Sequence, residues 1–149
     1  MALDSQALRD SFAMLSMREP ELTHRIYDFL FARHPEVRFL FQTRPMAAQA
    51  RLLRDALVTL LDHADDQRWL EEYLAPLGAR HVVYGVTDEM YDWVGQALLD
   101  TFAEVGGDDW TVGMAAAWSQ AYDEVSRAMK QGALRLAVLP SDHQQPRLG

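Results

Sequence analysis

The stretch LGARHVVYGV, Leu77 to Val86, decides how the rest of the chain is read. Leu77, His81 and Tyr84 fall three or four residues apart, the spacing of one helical face, and Gly85 breaks the turn that carries them. A lone histidine in that place has three readings. It is a packed side chain bonded to a backbone carbonyl, an acid or base, or a ligand to something large.

Outward from His81 the apolar spacing stays helical. Just upstream, Trp69, Tyr73 and Leu74 predict a helix interrupted at Pro76 and Gly78. Before the polar run His63 to Gln67, a long segment opened by Pro45 carries Met46, Gln49, Leu53, Ala56, Leu57 and Leu60 at helical spacing. Pro35 starts a short turn through Val37, Leu40 and Phe41 and ends an earlier helix. That helix opens near Pro20 and shares Leu22, Ile26, Phe29 and Leu30 on one face. Asp4 or Ser5 caps a first helix marked by Leu8, Phe12 and Leu15.

Downstream, Thr87 with Asp88 and Glu89 starts a helix carrying Met90, Val94, Leu98, Phe102 and Val105, stopped by Gly106-Gly107. The last helix carries Met114, Trp118, Ala121, Tyr122, Val125 and Met129. No stretch alternates as a strand does, so the expected class is all-α, one domain of packed helices. The polar, proline-containing stretch Pro140 to Gly149 is expected to fray.

Composition narrows the chemistry. The 149 residues include no cysteine, which excludes disulfide scaffolds, thiolate metal sites and thiol nucleophiles. The formal charge of -8 argues against nucleic acid or an anionic membrane surface as partner, since both need a basic face. No apolar run approaches the roughly 20 residues that span a bilayer, and no basic-then-apolar leader is visible, so a cytoplasmic protein is expected. No serine sits in a nucleophile elbow, and no HExxH or short-spaced cluster of metal ligands is present. His24, His34, His63 and His143 fall beside charges or in turns and read as solvated. A metal at His81 would therefore take its other ligands from outside the chain, and a porphyrin supplies four.

Four segments then form a pattern. HPEVRFLF (His34 to Phe41), MAAQARLL (Met46 to Leu53), LGARHVVYGV and YDWVGQALL (Tyr91 to Leu99) together resemble the single-domain bacterial globins and the globin domain of flavohaemoglobins. The resemblance covers roughly residues 5 to 131. It implies a globin fold of about seven to eight helices around a haem pocket, with 1–133 as the globin domain and 134–149 as a tail.

The resemblance also implies roles. His81 becomes the protein ligand to the iron of haem b (iron protoporphyrin IX), leaving the opposite axial position open to oxygen, NO or CO. Phe41, Leu53, Tyr84, Val86, Tyr91 and Trp118 are expected to line the haem pocket. Tyr27, from RIYDFLF, and Gln49 are expected on the open side as hydrogen-bond donors to the gas. Bonds to charged groups contribute about 1.5–3 kcal/mol, so two donors imply tight oxygen binding and slow release. The implied partners are diatomic gases and a separate reductase, the chain itself being a monomer or homodimer.

One departure weakens the alternative, an NO dioxygenase or peroxidase-like enzyme. In flavohaemoglobins a glutamate of the last helix strengthens the histidine ligand. Tyr91 matches the tyrosine that accompanies it, but the glutamate position is Ala133 here. No flavin or nicotinamide domain is visible either, so turnover would need an external electron donor.

Overall fold

Six α-helices and two 3-10 segments make up the computed structural model, which describes residues 3–137; no strand occurs among them. Asp4 is the cap of the two candidates that acts, accepting from the Ala7 amide at 3.1 Å to start α1 (Ser5–Arg18). α2 (Leu22–Arg33) gives way at His34 to a 3-10 helix, Pro35–Phe41. Pro45 precedes α3 (Met46–Asp62). Asp66 then accepts from the Trp69 amide at 3.1 Å and starts α4 (Gln67–Val83). Thr87 caps α5 (Asp88–Gly106), whose first-turn Asp88 and Glu89 suit the positive end of the helix dipole. A 3-10 turn, Gly107–Asp109, leads to α6 (Val112–Ala137).

One expectation changes. α4 runs unbroken through Pro76 and Gly78. Pro76 is exposed, as is Glu72 four residues before it, so water can take the carbonyl that the proline cannot serve. Gly78 is buried where α4 meets α6: a Cβ there would fall 2.0 Å from the Met129 carbonyl oxygen. What looked like a breaker is the close contact between two helices. Gly132 of α6 answers it, with a built Cβ 2.3 Å from Ala75 Cα.

The last helix continues to Ala137. The predicted frayed stretch, Pro140 to Gly149, and His143 lie outside the described residues.

The helices pair unequally. α4 packs chiefly on α6, α2 on α5, and α3 on α2. Arg25 and Arg33 of α2 reach Glu104 at 2.8 Å and Asp100 at 2.6 Å on α5. The buried core falls into two clusters. The larger joins α1, α2, α3, α5 and α6 through residues such as Leu15, Ile26, Leu57, Phe102 and Trp118. The smaller is Leu70, Leu74, Tyr91 and Met129. No helix among the described residues is long and apolar enough to cross a membrane.

Candidate functional site

His81 sits on the last turn of α4, half-buried. Its Nδ1 lies 2.8 Å from the Leu77 carbonyl oxygen. A carbonyl only accepts, so Nδ1 carries the proton and donates. Nε2 is left with a lone pair and no hydrogen-bond partner among the described residues. Burial holds the imidazole pKa below its usual value, the Leu77 carbonyl opposing and the Arg80 charge reinforcing that shift. The ring is neutral at pH 7, the form that ligates metals.

Around it stand residues of α4 and α5. The Val86 amide donates to the His81 carbonyl at 3.0 Å, across a turn in which Gly85 takes φ +96°. Tyr91 presents its ring 6.4 Å from the His81 ring, tilted by 27°. Tyr122 of α6 donates its hydroxyl to the Tyr91 carbonyl at 2.5 Å. Gly95 makes room for that phenol, since a Cβ would come within 2.5 Å of the Tyr122 ring. Burial raises the pKa of both tyrosines, which stay uncharged.

A second group forms on α2 and α3. Tyr27 is 7% exposed, and Gln49 Nε2 donates to its hydroxyl at 3.2 Å. Burial raises the Tyr27 pKa, against the Gln49 bond and the Arg44 charge, so the phenol keeps its proton. Phe41 meets Tyr27 edge-on at 5.3 Å and Phe31 at 5.5 Å. Leu53, one turn beyond Gln49, packs partly buried against the same cluster.

The two groups face a divided interior. Among the described residues α3 and α4 make no extensive contact, although Leu60 of α3 packs against the cluster that holds Leu70 and Leu74 of α4. Phe41 and Leu53 belong with the larger cluster, Leu77 and Val86 with the smaller, and all four stay partly exposed. Leu40 reaches the Gly85 turn from the 3-10 helix. No trio of His, Asp or Glu able to hold an ion occurs among the described residues, so His81 belongs to no such cluster there.

The expected pocket residues divide accordingly. Tyr27, Phe41, Gln49 and Leu53 gather on one side, and His81, Val86 and Tyr91 on the other. Tyr84 caps α4 with its ring 6.3 Å from that of His81 and 46% exposed. Trp118 joins neither group. It is 4% exposed, donates Nε1 to Ser11 Oγ at 2.8 Å, and meets Phe102 edge-on at 4.8 Å. Nor do two histidines stand free in solvent as expected. His34 stacks on Trp93 at 4.0 Å and His63 on Trp69 at 3.5 Å.

Two residues were not singled out for the site from sequence. Tyr122 was read only as one of the residues spaced along the last helix, and its bond to a backbone carbonyl leaves no trace in spacing. Lys130, whose ammonium lies 5.2 Å from the Tyr91 ring centroid, carries one signal: it is the only lysine in the sequence.

Comparison with known proteins fits this arrangement. The globin family profile matches residues 24–129. The chain belongs to the globin family. A flavohemoprotein of Vibrio cholerae is 26% identical to this globin over 133 residues, 87% of the chain, which spans only 34% of that protein's length. An anaerobic nitrite reductase of Oryza sativa is 28% identical over 131 residues, covering 88% of this globin and 84% of the relative. Among solved structures, a bacterial globin from Campylobacter jejuni superimposes with a TM-score of 0.75 at 21% identity, over 89% of this chain and 96% of that one. An engineered carbene transferase from Rhodothermus marinus, named for nitric oxide dioxygenase, does so with 0.78 at 25% identity, over 92% and 96%.

Proposed function

We propose that this globin holds haem b through His81 Nε2 and keeps oxygen beside Tyr27 and Gln49, releasing it slowly. The observation that carries this is the Leu77 bond to His81 Nδ1, which fixes a neutral ring and leaves Nε2 as an uncommitted donor. The remaining residues suit the group. A flat apolar macrocycle needs apolar walls that the protein does not pack shut, and Phe41, Leu53, Leu77 and Val86 are partly exposed at the edges of two separate buried clusters.

Haem, when bound through His81, would supply an iron able to take up oxygen, NO or CO. The chain's own groups do the rest. Leu77 stops the imidazole from turning. Phe41 and Leu53 exclude water, and Tyr27 offers a protonated phenol with Gln49 behind it.

A second reading, turnover of nitric oxide with electrons from a reductase, draws support from the names of two relatives, a flavohemoprotein and a nitric oxide dioxygenase. Ala133 weighs against it. That position is buried and apolar, and it offers His81 no carboxylate to strengthen the ring as an electron donor.

The test is haem titration of the purified chain, followed by absorption spectroscopy. Wild type is expected to develop a sharp Soret band at one haem per chain, and His81→Ala to lose it or bind far more weakly. A His81→Ala protein with unchanged spectrum and affinity overturns the proposal.

A further inference from the structure

Lys130 lies on α6 with its ammonium 5.2 Å from the centre of the Tyr91 ring, and that ring lies 6.4 Å from the ring of His81. One turn further along α6 comes Ala133, buried and uncharged. The charged group that α6 sets over the Tyr91 ring is therefore a cation, while Asp88 of α5 also acts on Tyr91 and Arg80 of α4 on His81. Asp92 and Asp123 line the same open groove as Lys130, yet among the described residues no carboxylate is within ion-pair distance of it. Arg127, also in that groove, is held by Glu124.

Thirteen of the fourteen basic residues are arginine, and the single lysine stands here. Arginine would carry the same unit charge here, so the effect rests on charge and not on the shape of the ammonium. Over an aromatic face the ammonium gains a cation–π attraction, which holds it in place without a direct carboxylate partner among the described residues.

We infer that Lys130 is a positioning residue that biases the haem iron toward the ferrous state, which rests on the reading of His81 as the iron's ligand. The ferric centre carries one more positive charge than the ferrous one. A fixed cation nearby therefore raises the free energy of the ferric form more, and the one-electron equilibrium moves toward the reduced form. The two ring distances cap the separation of Lys130 from the His81 ring at about 12 Å. Taking that distance as the scale for an iron held on that ring, a unit charge at a near-surface effective dielectric is worth at most roughly tenfold in equilibrium; exposure and the aspartates Asp88, Asp92 and Asp123 reduce this to about threefold to tenfold.

The experiment is a spectroelectrochemical titration of the haem-loaded protein and its Lys130→Gln, Lys130→Glu and Lys130→Arg variants. The ferrous-to-ferric ratio at fixed applied potential is expected to fall about threefold to tenfold in Lys130→Gln, a full tenfold being 59 mV for one electron. It should fall further in Lys130→Glu and stay within about twofold in Lys130→Arg. Because Lys130 is the only lysine, amine acetylation of the wild-type holoprotein should reproduce the Lys130→Gln shift, with acetylated Lys130→Arg controlling for the N-terminus.

Unchanged ratios in Lys130→Gln and Lys130→Glu, with Soret bands intact, overturn this inference and leave the haem reading standing. So does a Lys130→Arg shift as large as that of Lys130→Gln, because shape rather than charge would then be acting. If wild type takes up no haem, the fault lies in the function proposed above.

Discussion

Gln49 Nε2 donates to the Tyr27 hydroxyl oxygen across 3.2 Å, and that direction decides what Tyr27 does next. With its oxygen accepting from the amide, the phenol keeps its own O–H to give. A donor whose oxygen is already accepting is polarised, which strengthens the bond it makes. The pair acts in series. On the proposed function, Tyr27 would be the direct donor to a gas in the pocket, with Gln49 acting largely through it.

Tyr27→Phe is therefore expected to speed oxygen release by about ten- to a hundredfold, since a hydrogen bond to a charged acceptor contributes about 1.5–3 kcal/mol. Gln49→Leu should have a smaller effect, and almost none when Tyr27 is already phenylalanine. Stopped-flow release rates for the two single variants and the double variant check this. If Gln49→Leu still accelerates release strongly in the Tyr27→Phe protein, the amide touches the gas itself and the series arrangement is wrong.

The His81 shift gives a pH dependence with a definite sign. Burial lowers the folded-state pKa below the unfolded value of about 6.5. Above that pH the ring is neutral in both states and contributes nothing to the balance. As pH falls below about 6.5, the unfolded chain takes up a proton that the folded chain resists, so stability declines until the folded pKa is passed. Urea unfolding of the haem-free protein at stepped pH should show this decline, and His81→Leu should flatten it. Identical pH profiles for the two proteins count against a buried neutral ring.

Legibility in the sequence followed the range of the interaction. Asp4, Pro35, Thr87 and the Gly106-Gly107 stop act within one turn, and each marks a boundary of an observed helix or lies within a residue of one. Gly78 misled because its role depends on Met129, a partner in another helix. Asp66 was read as part of a polar break, although an aspartate three residues before Trp69 is also a cap. Within the candidate site, His81, Tyr27 and Gln49 came from resemblance to a family, not from spacing. Trp118 shows the limit of that route, because its indole turns to Ser11, 107 residues away, where no local pattern points.

Trp118 supplies a test that separates core from pocket. Its N–H and the Ser11 hydroxyl are both buried, and Ser11 in turn donates to the Ala7 carbonyl at 2.6 Å. Ser11→Ala strands the indole N–H without water, which should cost about 1–3 kcal/mol in urea unfolding. The haem absorption spectrum should not move. A shifted Soret band with unchanged stability would place Trp118 at the pocket after all.

The α4–α6 contact decides how firmly His81 is carried. At Gly78 any side chain meets backbone, not a movable group: the added methyl would fall 2.0 Å from the Met129 carbonyl oxygen and 2.6 Å from its carbonyl carbon. Gly78→Ala must therefore push the helices apart, and overpacking of this kind costs about 1–3 kcal/mol even though alanine is the better helix former. Gly113, on the first turn of α6, has open space around it, with Thr111 Oγ1 at 3.7 Å as the nearest atom to an added Cβ. Gly113→Ala should be neutral or stabilise by about 0.4–1 kcal/mol through the unfolded chain. Because α4 bears His81 one turn beyond Gly78, Gly78→Ala should also lose haem faster to an apomyoglobin scavenger, while Gly113→Ala should not. Equal stabilities and equal haem-loss rates for the two variants would show that the close approach at Met129 is not what holds α4 in register.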